Sequence, residues 1–514
     1  MRLIFTLFIF FLSLFTLSSQ EKLGIANSNF SSINSVFLNP ASSVDSRTLA
    51  QFNLVGANIY VMNNVGYVPK FNAWDAIRGD LPNPVLSNIK LKNFVYTKVE
   101  INGPALIVSN KEIGYGFFIR GRVEVNVSNI SKELIDILLE KEVLKIDSAT
   151  RNFELNIKNT RIKQMSWVEY GINFGKMYFK HGKTLIAVGG NAKYLTGINI
   201  ANGHLNNISA QANQSIIKMD ARASAKYNIP AWNAGKGIGI DFGITYKKTL
   251  DFVDSYFSNS QKSACRQIDY KYKVGVSLLD FGAIRFTKNT FNEVYTGNTV
   301  ITDLEHTNID SLLRADPDLK VTQILNKPIL ACLPTALSFQ ADWNLKHHFY
   351  INATIIQGLV GPRIIGVQRP NLISIAPRFE HRNIELSIPL TFHRYIYPQL
   401  GCAFRFRTFV LGMDNILPLI KKQNTYGGNI YFNLGISLFK NPACRASKPR
   451  YTPPKIQYEG YTFLTLRNKS KKTILANKQG INPNSVAATK GNKSSNKKRG
   501  IKLFKFKRLR AKKI

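Results

Sequence analysis

The reactive side chains of this sequence do not form a recognisable catalytic set. Asp280-Phe281-Gly282 has the letters of the metal-binding triplet of protein kinases, but the glycine-rich loop, strand lysine and catalytic loop that accompany it there are missing, so we interpret it as a turn in a strand. Seven histidines are present, yet no Gly-x-Ser-x-Gly elbow supplies a nucleophile. We therefore predict that the protein is not an enzyme and assign no catalytic residue.

Metal-ligating side chains are scattered as well. His347 and His348 are adjacent, so on a strand they point to opposite faces and cannot hold one ion together. The cysteines have no Cys-x-x-Cys spacing, and no disulfide can be assigned from the sequence. They are Cys265, Cys332, Cys402 and Cys444. We predict no metal and no cofactor.

Four basic residues lie on strand candidates whose other face is apolar. They are Arg122, Lys193, Arg405 and Arg407. If their face lines a lumen, they would favour an anionic solute such as a fatty-acid carboxylate. The alternative, which we favour, is that they form salt bridges with acids of neighbouring strands. Those acids are Glu169, Asp241 and Asp342.

The strands that position these residues alternate in polarity. From Lys236 to Tyr246, aliphatic and aromatic residues alternate with glycine, Asp241 and threonine, and Asn429 to Phe439 shows the same pattern. Successive side chains of a strand point to opposite faces, so the apolar face belongs in lipid and the glycine-lined or charged face in a lumen. The sequence predicts an all-β fold, a single antiparallel transmembrane β-barrel of about 14 strands, over residues 51–440.

Two stretches are predicted to lie outside this pattern. Ser131 to Leu144 has helical spacing behind a serine cap, and Asn289 to Lys327 is long and polar, typical of an external loop. The alternative fold is a secreted soluble β-protein. We find no blade-length repeat of about 40 residues, and so large an apolar strand surface would be rare in water.

Residues 1–20 have the form of a signal peptide. Arg2 is followed by an apolar run from Leu3 to Leu17 and by the small residues Ser18 and Ser19. The run is shorter than the roughly 20 residues that span a bilayer. We expect cleavage, export, and residence in the outer membrane of a Gram-negative bacterium, with outer-membrane lipid as partner.

The chain ends in a strongly basic tail, residues 441–514. From Ala446 to Ile514, 20 Lys+Arg oppose the single Glu459, whereas the whole chain has a net charge of +38. Such a segment could bind nucleic acid through phosphates, but an exported chain meets lipid headgroups and acidic envelope polymers instead. We predict a disordered tail without a nucleic-acid partner. Acidic envelope polymers, a protein partner, or no dedicated partner remain open.

Five short strings occur in a fixed order along the chain. They are Asn39-Pro40-Ala41, Asn102-Gly103-Pro104, the run from Gly275 to Gly282, Leu333-Pro334-Thr335, and the run from Gly412 to Ile416. In this order they resemble an uncharacterised domain-of-unknown-function family of Bacteroidota outer-membrane proteins. That family is similar in layout to FadL-type transporters of hydrophobic compounds and to the PorV barrel of type IX secretion.

The resemblance implies that Asn39, Pro40 and Ala41 belong to an N-terminal plug, residues 21–50, inside the barrel. It implies no established activity. We expect a barrel that passes or presents a hydrophobic or small anionic ligand. The alternative is a non-transporting scaffold whose loops or basic tail hold a protein or envelope partner.

Overall fold

The computed structural model describes residues 22–80, 82–87, 93–131, 153–213, 216–260, 267–301, 319–346 and 348–438. The predicted signal peptide and basic tail, most of the predicted helix from Ser131 to Leu144, His347, Cys265 and Cys444 lie outside these residues. None of the helices in the described part of the chain has the length and hydropathy that a bilayer crossing requires.

The described residues are mainly β-structure, with strands of very different lengths. The first eleven are β1 Ala50–Asn63, β2 Gly66–Phe71, β3 Val85–Leu86, β4 Phe94–Asn110, β5 Ile113–Ser128, β6 Phe153–His181, β7 Thr184–Asn213, β8 Ile216–Asn228, β9 Gly235–Thr249, β10 Tyr270–Phe286 and β11 Thr290–Ile301. The others are β12 Leu319–Leu325, β13 Ile329–Cys332, β14 Ala336–Lys346, β15 Phe349–Gly358, β16 Leu372–Glu380, β17 Ile384–Ser387, β18 Leu390–His393, β19 Tyr397–Leu400, β20 Cys402–Phe406, β21 Phe409–Met413, β22 Gln423–Thr425 and β23 Gly427–Leu438. The helices among the described residues are single turns at Ser32–Ser35, Pro40–Ser43 (a 3₁₀ turn), Ala73–Ile77 and Leu417–Ile420.

These strands close into an antiparallel barrel with 14 positions around its wall. Each position, here called a stave, is one strand or two short consecutive strands. In order around the wall the staves are β1, β4, β5, β6, β7, β9, β10, β14, β15, β16, β17 with β18, β19 with β20, β21, and β23. The ring is sealed where β23 pairs with β1, from Ala50 opposite Leu438 to Met62 opposite Gly427. The predicted all-β barrel of about 14 strands is confirmed.

The predicted alternation gives the wall an apolar outside. On β6 and β9 the outward side chains Ile172, Phe174, Ile238, Ile240 and Phe242 are 50–69% exposed. Their inward neighbours are buried. The apolar surface is therefore on the outside of the barrel and the polar and small residues fill its interior.

The two ends of the barrel differ. The end that carries Ala50 and Leu438, called the lower end, has tight turns such as those at Lys111, Gly182 and Arg407, which adopt left-handed backbone conformations. The upper end carries long connections, including residues 359–371 and 414–426. Residues 250–269, which connect β9 to β10 at the lower end, are an exception to this difference. Short turns at most positions of one end and long loops at the other are typical of outer-membrane barrels.

At the upper end β6 and β7 extend beyond the barrel wall into a second sheet. β8 pairs with the extension of β7, β11 pairs with β8, and β12 pairs with β11. The prediction of a loop from Asn289 to Lys327 is therefore wrong where β11 and β12 form. Both faces of this sheet stand outside the barrel and mix polar with apolar residues, so the segment lacked the regular alternation of the wall strands.

The N-terminal residues 22–48, here called the plug segment, lie inside the barrel. Nearly every side chain in this segment is buried, including Ile33, Val36 and Val44. From above, residues 359–371, here called the cap loop, reach into the upper lumen, where Val367 and Arg369 are buried. The lumen is thus filled from both ends.

Candidate functional site: the filled lumen

Asn39-Pro40-Ala41 lies at the middle of the plug segment. The Asn39 side chain accepts a hydrogen bond from the Ala41 backbone N–H (3.1 Å), and Pro40 begins the 3₁₀ turn, where its missing N–H costs nothing. Asn39 Nδ2 also donates to the Ile244 carbonyl (3.1 Å) and to Gln340 Oε1 (3.0 Å) on the wall. One asparagine therefore caps the turn and fixes it to two staves.

Three glycines on adjacent staves form a seat for this turn. A Cβ atom at Gly243 would lie 2.2 Å from Asn39 Oδ1, one at Gly189 would lie 2.7 Å from the Ala41 nitrogen, and one at Gly275 would lie 2.7 Å from Asn39 Nδ2. Any side chain there would collide with the plug segment. The glycines that alternate with apolar residues along the strands therefore allow the plug backbone to approach the wall.

Wall side chains satisfy the backbone of the plug segment. Ser277 Oγ donates to the Leu38 carbonyl (2.6 Å) and Ser109 Oγ to the Val44 carbonyl (2.7 Å). Asn191 Nδ2 donates to the Val36 carbonyl (3.2 Å), and Asn173 Nδ2 to the Pro40 carbonyl (3.2 Å). Because a buried irregular segment must find partners for its backbone groups, these bonds explain how a helix-poor stretch is stable inside the lumen.

Asp45 anchors the lower part of the plug segment. Its carboxylate accepts from Lys247 Nζ (2.8 Å), Ser258 Oγ (2.8 Å) and Tyr256 Oη (3.0 Å). Burial opposes ionisation of Asp45, but the Lys247 ammonium and the two hydroxyls outweigh it and hold the pKa of this carboxyl below its usual value. The anchor is an ionised, fully hydrogen-bonded group.

Above the Asn39-Pro40-Ala41 turn, side chains of the wall, Lys22 of the plug segment and Arg369 of the cap loop form an ionic layer. Six basic and five acidic side chains take part: Lys22, Lys98, Arg120, Arg122, Lys193, Arg369, Glu100, Glu124, Glu169, Asp241 and Asp280. Their charges nearly cancel. The layer is a network of paired charges. The lumen is therefore not lined with unpaired positive charge at this height.

Asp280 is the centre of this network. Its carboxylate pairs with Arg122 (2.8 Å), Lys193 (2.6 Å) and Arg369 (2.7 Å), and its backbone N–H donates to Asp241 Oδ1 (2.7 Å). A bulge in β10 turns Asp280 into the lumen, because the pairing with β9 shifts between Leu278 and Phe281 and Asp280 has a φ of +52°. The predicted irregularity at Asp280-Phe281-Gly282 is present, but its role as an ionic centre was missed.

The four basic residues that were predicted to line the lumen lie in three different places, two of them inside the barrel. Arg122 and Lys193 lie in the ionic layer and pair with Glu169 (2.9 Å) and Asp241 (2.6 Å), two of the acids proposed from the sequence. Arg405 lies nearer the lower end, where it pairs with Glu385 (2.7 Å).

Two details of that prediction are wrong. Arg407 is exposed in the tight turn after β20, since its left-handed backbone (φ +54°) ends the strand alternation that placed it in the lumen. Asp342, the third proposed acid, pairs with Arg378 (2.9 Å), which is none of the four predicted bases.

Over the ionic layer lies an apolar layer of inward-facing side chains. Its members are Met165, Trp167, Leu195, Ile200, Ala234, Ile284, Phe286, Ile329, Ala331, Leu333 and Val367. Trp167 is at the boundary: its Nε1 donates to Glu169 Oε1 (2.8 Å) and the Arg122 guanidinium lies 4.6 Å from its ring centre. The Trp167 side chain therefore lies where the ionic layer of the lumen meets the apolar layer.

The cap loop closes the apolar layer from above through few contacts. Val367 packs in the layer, Arg369 reaches Asp280, and Gln368 exchanges two hydrogen bonds with Asn126 (2.7 and 2.9 Å). Lys163 Nζ donates to the Ile364 carbonyl (2.6 Å). The loop is held by its sequence-distant partners rather than by regular strand pairing.

Several strings behind the family resemblance meet in or beside this lumen. Thr335 Oγ1 donates to the Asp280 carbonyl (2.7 Å), and Leu333 belongs to the apolar layer. Asp414 and Asn429 bond to each other above the point where β21 stops pairing with β23. Within the described residues, no group of three or more His, Cys, Asp or Glu has the arrangement of a metal site.

Residues 40–414 match a family of unknown function, DUF5723. The chain belongs to this family. The predicted membership of an uncharacterised family is confirmed, and the DUF5723 match begins at Pro40 of the plug turn and covers the strands from β1 to β21, whereas the expected bacterial group stays a prediction. No curated protein matches the DUF5723 chain.

Several solved structures are distantly similar to the DUF5723 chain. The monoaromatic hydrocarbon channel CymD is 8% identical, with 82% of this chain and 97% of that chain covered and a TM-score of 0.29. The copper transporter OprC (8% identity, 76% and 82% covered, TM-score 0.18) and the ferric yersiniabactin uptake receptor FyuA from Yersinia pestis (6% identity, 71% and 60% covered, TM-score 0.16) also match. Similarity at this level carries no argument about function.

Proposed function

We propose that this protein is an outer-membrane barrel that admits a small hydrophobic molecule to its apolar layer beneath the cap loop. The membrane location is supported by the outward face, where Ile172 is 64% and Ile238 is 69% exposed. A continuous apolar surface of this kind is rare in water and normal in lipid. The exported, Gram-negative setting and the cleaved signal peptide remain predictions.

The apolar layer is the observation that supports a hydrophobic ligand. It is lined by aliphatic and aromatic side chains, and one short loop separates it from the upper end. Sites for small molecules are concave, mostly apolar, and carry a few polar groups that orient the ligand. Trp167 and the hydrogen-bonded Glu169 below it would provide that polar floor.

An axial route through the barrel is opposed by the ionic layer. An apolar molecule moving downward would have to separate buried ion pairs such as Arg122–Asp280 and Lys193–Asp241. Separating buried pairs leaves uncompensated charges and costs several kcal/mol for each ion. The ligand therefore enters and is presented from the upper half, and the plug segment keeps the lower half closed.

The Trp167 indole provides a direct test. The reconstituted barrel is titrated with toluene and, separately, with laurate, and tryptophan fluorescence is recorded. We expect a saturable change that is lost in Trp167→Phe and retained in Trp232→Phe, because Trp232 is 63% exposed outside the layer. No saturable change with either probe, or the same change in Trp167→Phe, would refute the apolar site.

A second candidate function, a scaffold, is favoured by the sheet above the barrel. β12 pairs with β11 on one side, and its exposed Ile324 and Leu325 stand at the rim of that sheet. Exposed edges accept partner strands. If a partner is captured by the full chain and lost after Thr322→Pro in β12, the scaffold is supported; capture that survives this change would argue against it.

A further inference from the structure

A polar cavity of about 20 Å³ lies between the plug segment and the wall, near the lower end. Eleven of its thirteen lining residues are polar: Asn27, Ser28, Asn29, Ser32, Ser35, Ser42, Asp45, Ser46, Thr245, Lys247 and Lys273. A polar cavity needs roughly 10–15 Å³ to hold one water-sized particle. The space therefore accommodates a single small ion or water and excludes an organic ligand.

Lys273 borders this cavity without a close partner. Its ammonium lies 3.4 Å from Asn29 Oδ1 and 3.6 Å from Asp342 Oδ2, and no described residue offers it a nearer acceptor. That Asp342 oxygen already accepts from Tyr270 Oη (2.7 Å) and Arg378 Nη2 (2.9 Å). A mostly buried ammonium with three donors and only long contacts is under-satisfied.

The strand register places a second lysine directly opposite. Lys273 on β10 pairs with Lys247 on β9, so both side chains enter the lumen at the same height. Like charges directly opposite on antiparallel strands are destabilising. Asp45 compensates Lys247 at 2.8 Å and has its other oxygen occupied by Tyr256 and Ser258, so it does not compensate Lys273.

The wider cluster does not remove this imbalance at close range. Arg378 pairs with Asp342 and Glu380, and Arg405 pairs with Glu385. Arg47 pairs with Asp269 and lies 3.6 Å from Glu380. These acids balance the cluster in number, and one oxygen of each is paired with a guanidinium group, while Asp342 Oδ1 and Glu385 Oε1 have no hydrogen-bond partner among the described residues. The Lys273 ammonium points instead to the cavity.

We propose that this cavity binds a monatomic anion of chloride size, which bridges Lys273 to the plug segment. The hydroxyls of Ser42 and Thr245 line the same cavity and make no hydrogen bond to any described residue, so they are available as further donors. Ser42 follows the Asn39-Pro40-Ala41 turn. The anion therefore fixes the plug turn to β9 and β10, and plug docking depends on the anion present. This inference does not rest on the apolar ligand site.

The test uses bromide, whose anomalous scattering distinguishes it from water. Crystals of the full chain in detergent are grown or soaked in sodium bromide, and anomalous maps are compared for wild type and Lys273→Met. We expect a bromide peak in the cavity, next to Lys273 and Ser42, that disappears in Lys273→Met. No peak in wild type, or a peak of equal height in Lys273→Met, would overturn the proposal.

A solution measurement covers the case in which Lys273→Met does not assemble. The unfolding temperature of wild type is measured in sodium chloride and in sodium gluconate at equal ionic strength. Gluconate is too large for a cavity of about 20 Å³. We expect chloride to raise the midpoint by roughly 2 °C in wild type and in Lys236→Met, whose lysine is exposed on β9. Equal midpoints in the two salts would contradict anion binding.

Discussion

The lower and upper halves of the lumen are both filled, but by different physical means. Below, the plug segment meets the wall through glycine contacts, hydrogen bonds and the Asp45 anchor. Above, the cap loop covers an apolar layer and is fixed to the ionic layer by Arg369. Under the proposed function, the closure below is permanent, whereas an apolar molecule replaces the closure above.

The difference lies in what each closure would expose on opening. Removing the plug segment would take away the acceptors of wall hydroxyls such as those of Ser277 and Ser109, which donate to plug carbonyls. Lifting the cap loop would expose mainly apolar side chains, which a hydrophobic ligand covers equally well. The ionic layer lies between the lower closure, which is held by hydrogen bonds, and the upper closure, which is held by apolar contacts.

The largest effect is expected at the boundary itself, from Asp280→Asn. This change removes the charge that faces Arg122, Lys193 and Arg369 while keeping the size of the side chain. Leaving buried cations uncompensated costs about 3–5 kcal/mol. We expect a clearly lower temperature for the heat-induced shift in gel mobility. Asp220→Asn, in the sheet above the barrel, is the matched control, and equal shifts for the two variants would contradict the central role of Asp280.

The glycine seat is expected to show the next largest effect. Gly243→Val places a side chain where Asn39 Oδ1 lies 2.2 Å from an added Cβ, whereas Gly121 has no atom within 4 Å of such a Cβ. Overpacking should destabilise plug docking by about 3 kcal/mol. Hydrogen–deuterium exchange of residues 36–44 should accelerate in Gly243→Val and stay unchanged in Gly121→Val. Unchanged exchange in both would mean that the seat does not hold the plug.

The Asp45 anchor predicts a pH dependence of the lower closure. Because its folded-state pKa lies below the unfolded value of about 3.9, Asp45 contributes stability above that pH and loses it as pH falls through the folded-state pKa. Asp45→Asn should cost about 2 kcal/mol at pH 7. The difference in unfolding temperature from wild type should shrink below about pH 4. A difference that stays constant to pH 3 would exclude Asp45 as the titrating anchor.

The smallest predicted effect concerns the cap loop. Val367→Ala removes about 1.5 kcal/mol of apolar burial from the loop while the barrel stays intact. Cys332, whose backbone N–H bonds the Ile365 carbonyl, reports opening through its thiol-labelling rate when the other cysteines are serine. We expect about tenfold faster labelling than in Leu359→Ala, at an exposed loop position. Equal rates would show that Val367 does not hold the loop.

The sequence allowed prediction of the wall more fully than of the lumen. Alternating polarity in segments such as Lys236 to Tyr246 is a local signal, and it predicted strands, faces and closure. Salt bridges between Arg122 or Lys193 and acids such as Glu169 and Asp241 were also predicted, although not which base pairs with which acid. Asp280 and Arg369, by contrast, meet across 89 positions through a bulge and a loop, and neither carries a periodic signal. Arg407 was wrongly predicted to line the lumen, because its own left-handed backbone in the turn ends the alternation of the strand.

The central claim, that the lumen is closed twice, is tested most directly by current across planar bilayers. Four proteins are compared: wild type, a variant lacking residues 22–47, a variant with a shortened cap loop, and the combination of both. We predict no steady current for wild type and the largest steady current for the combination. A steady wild-type current, or a combined variant as silent as wild type, would contradict the account.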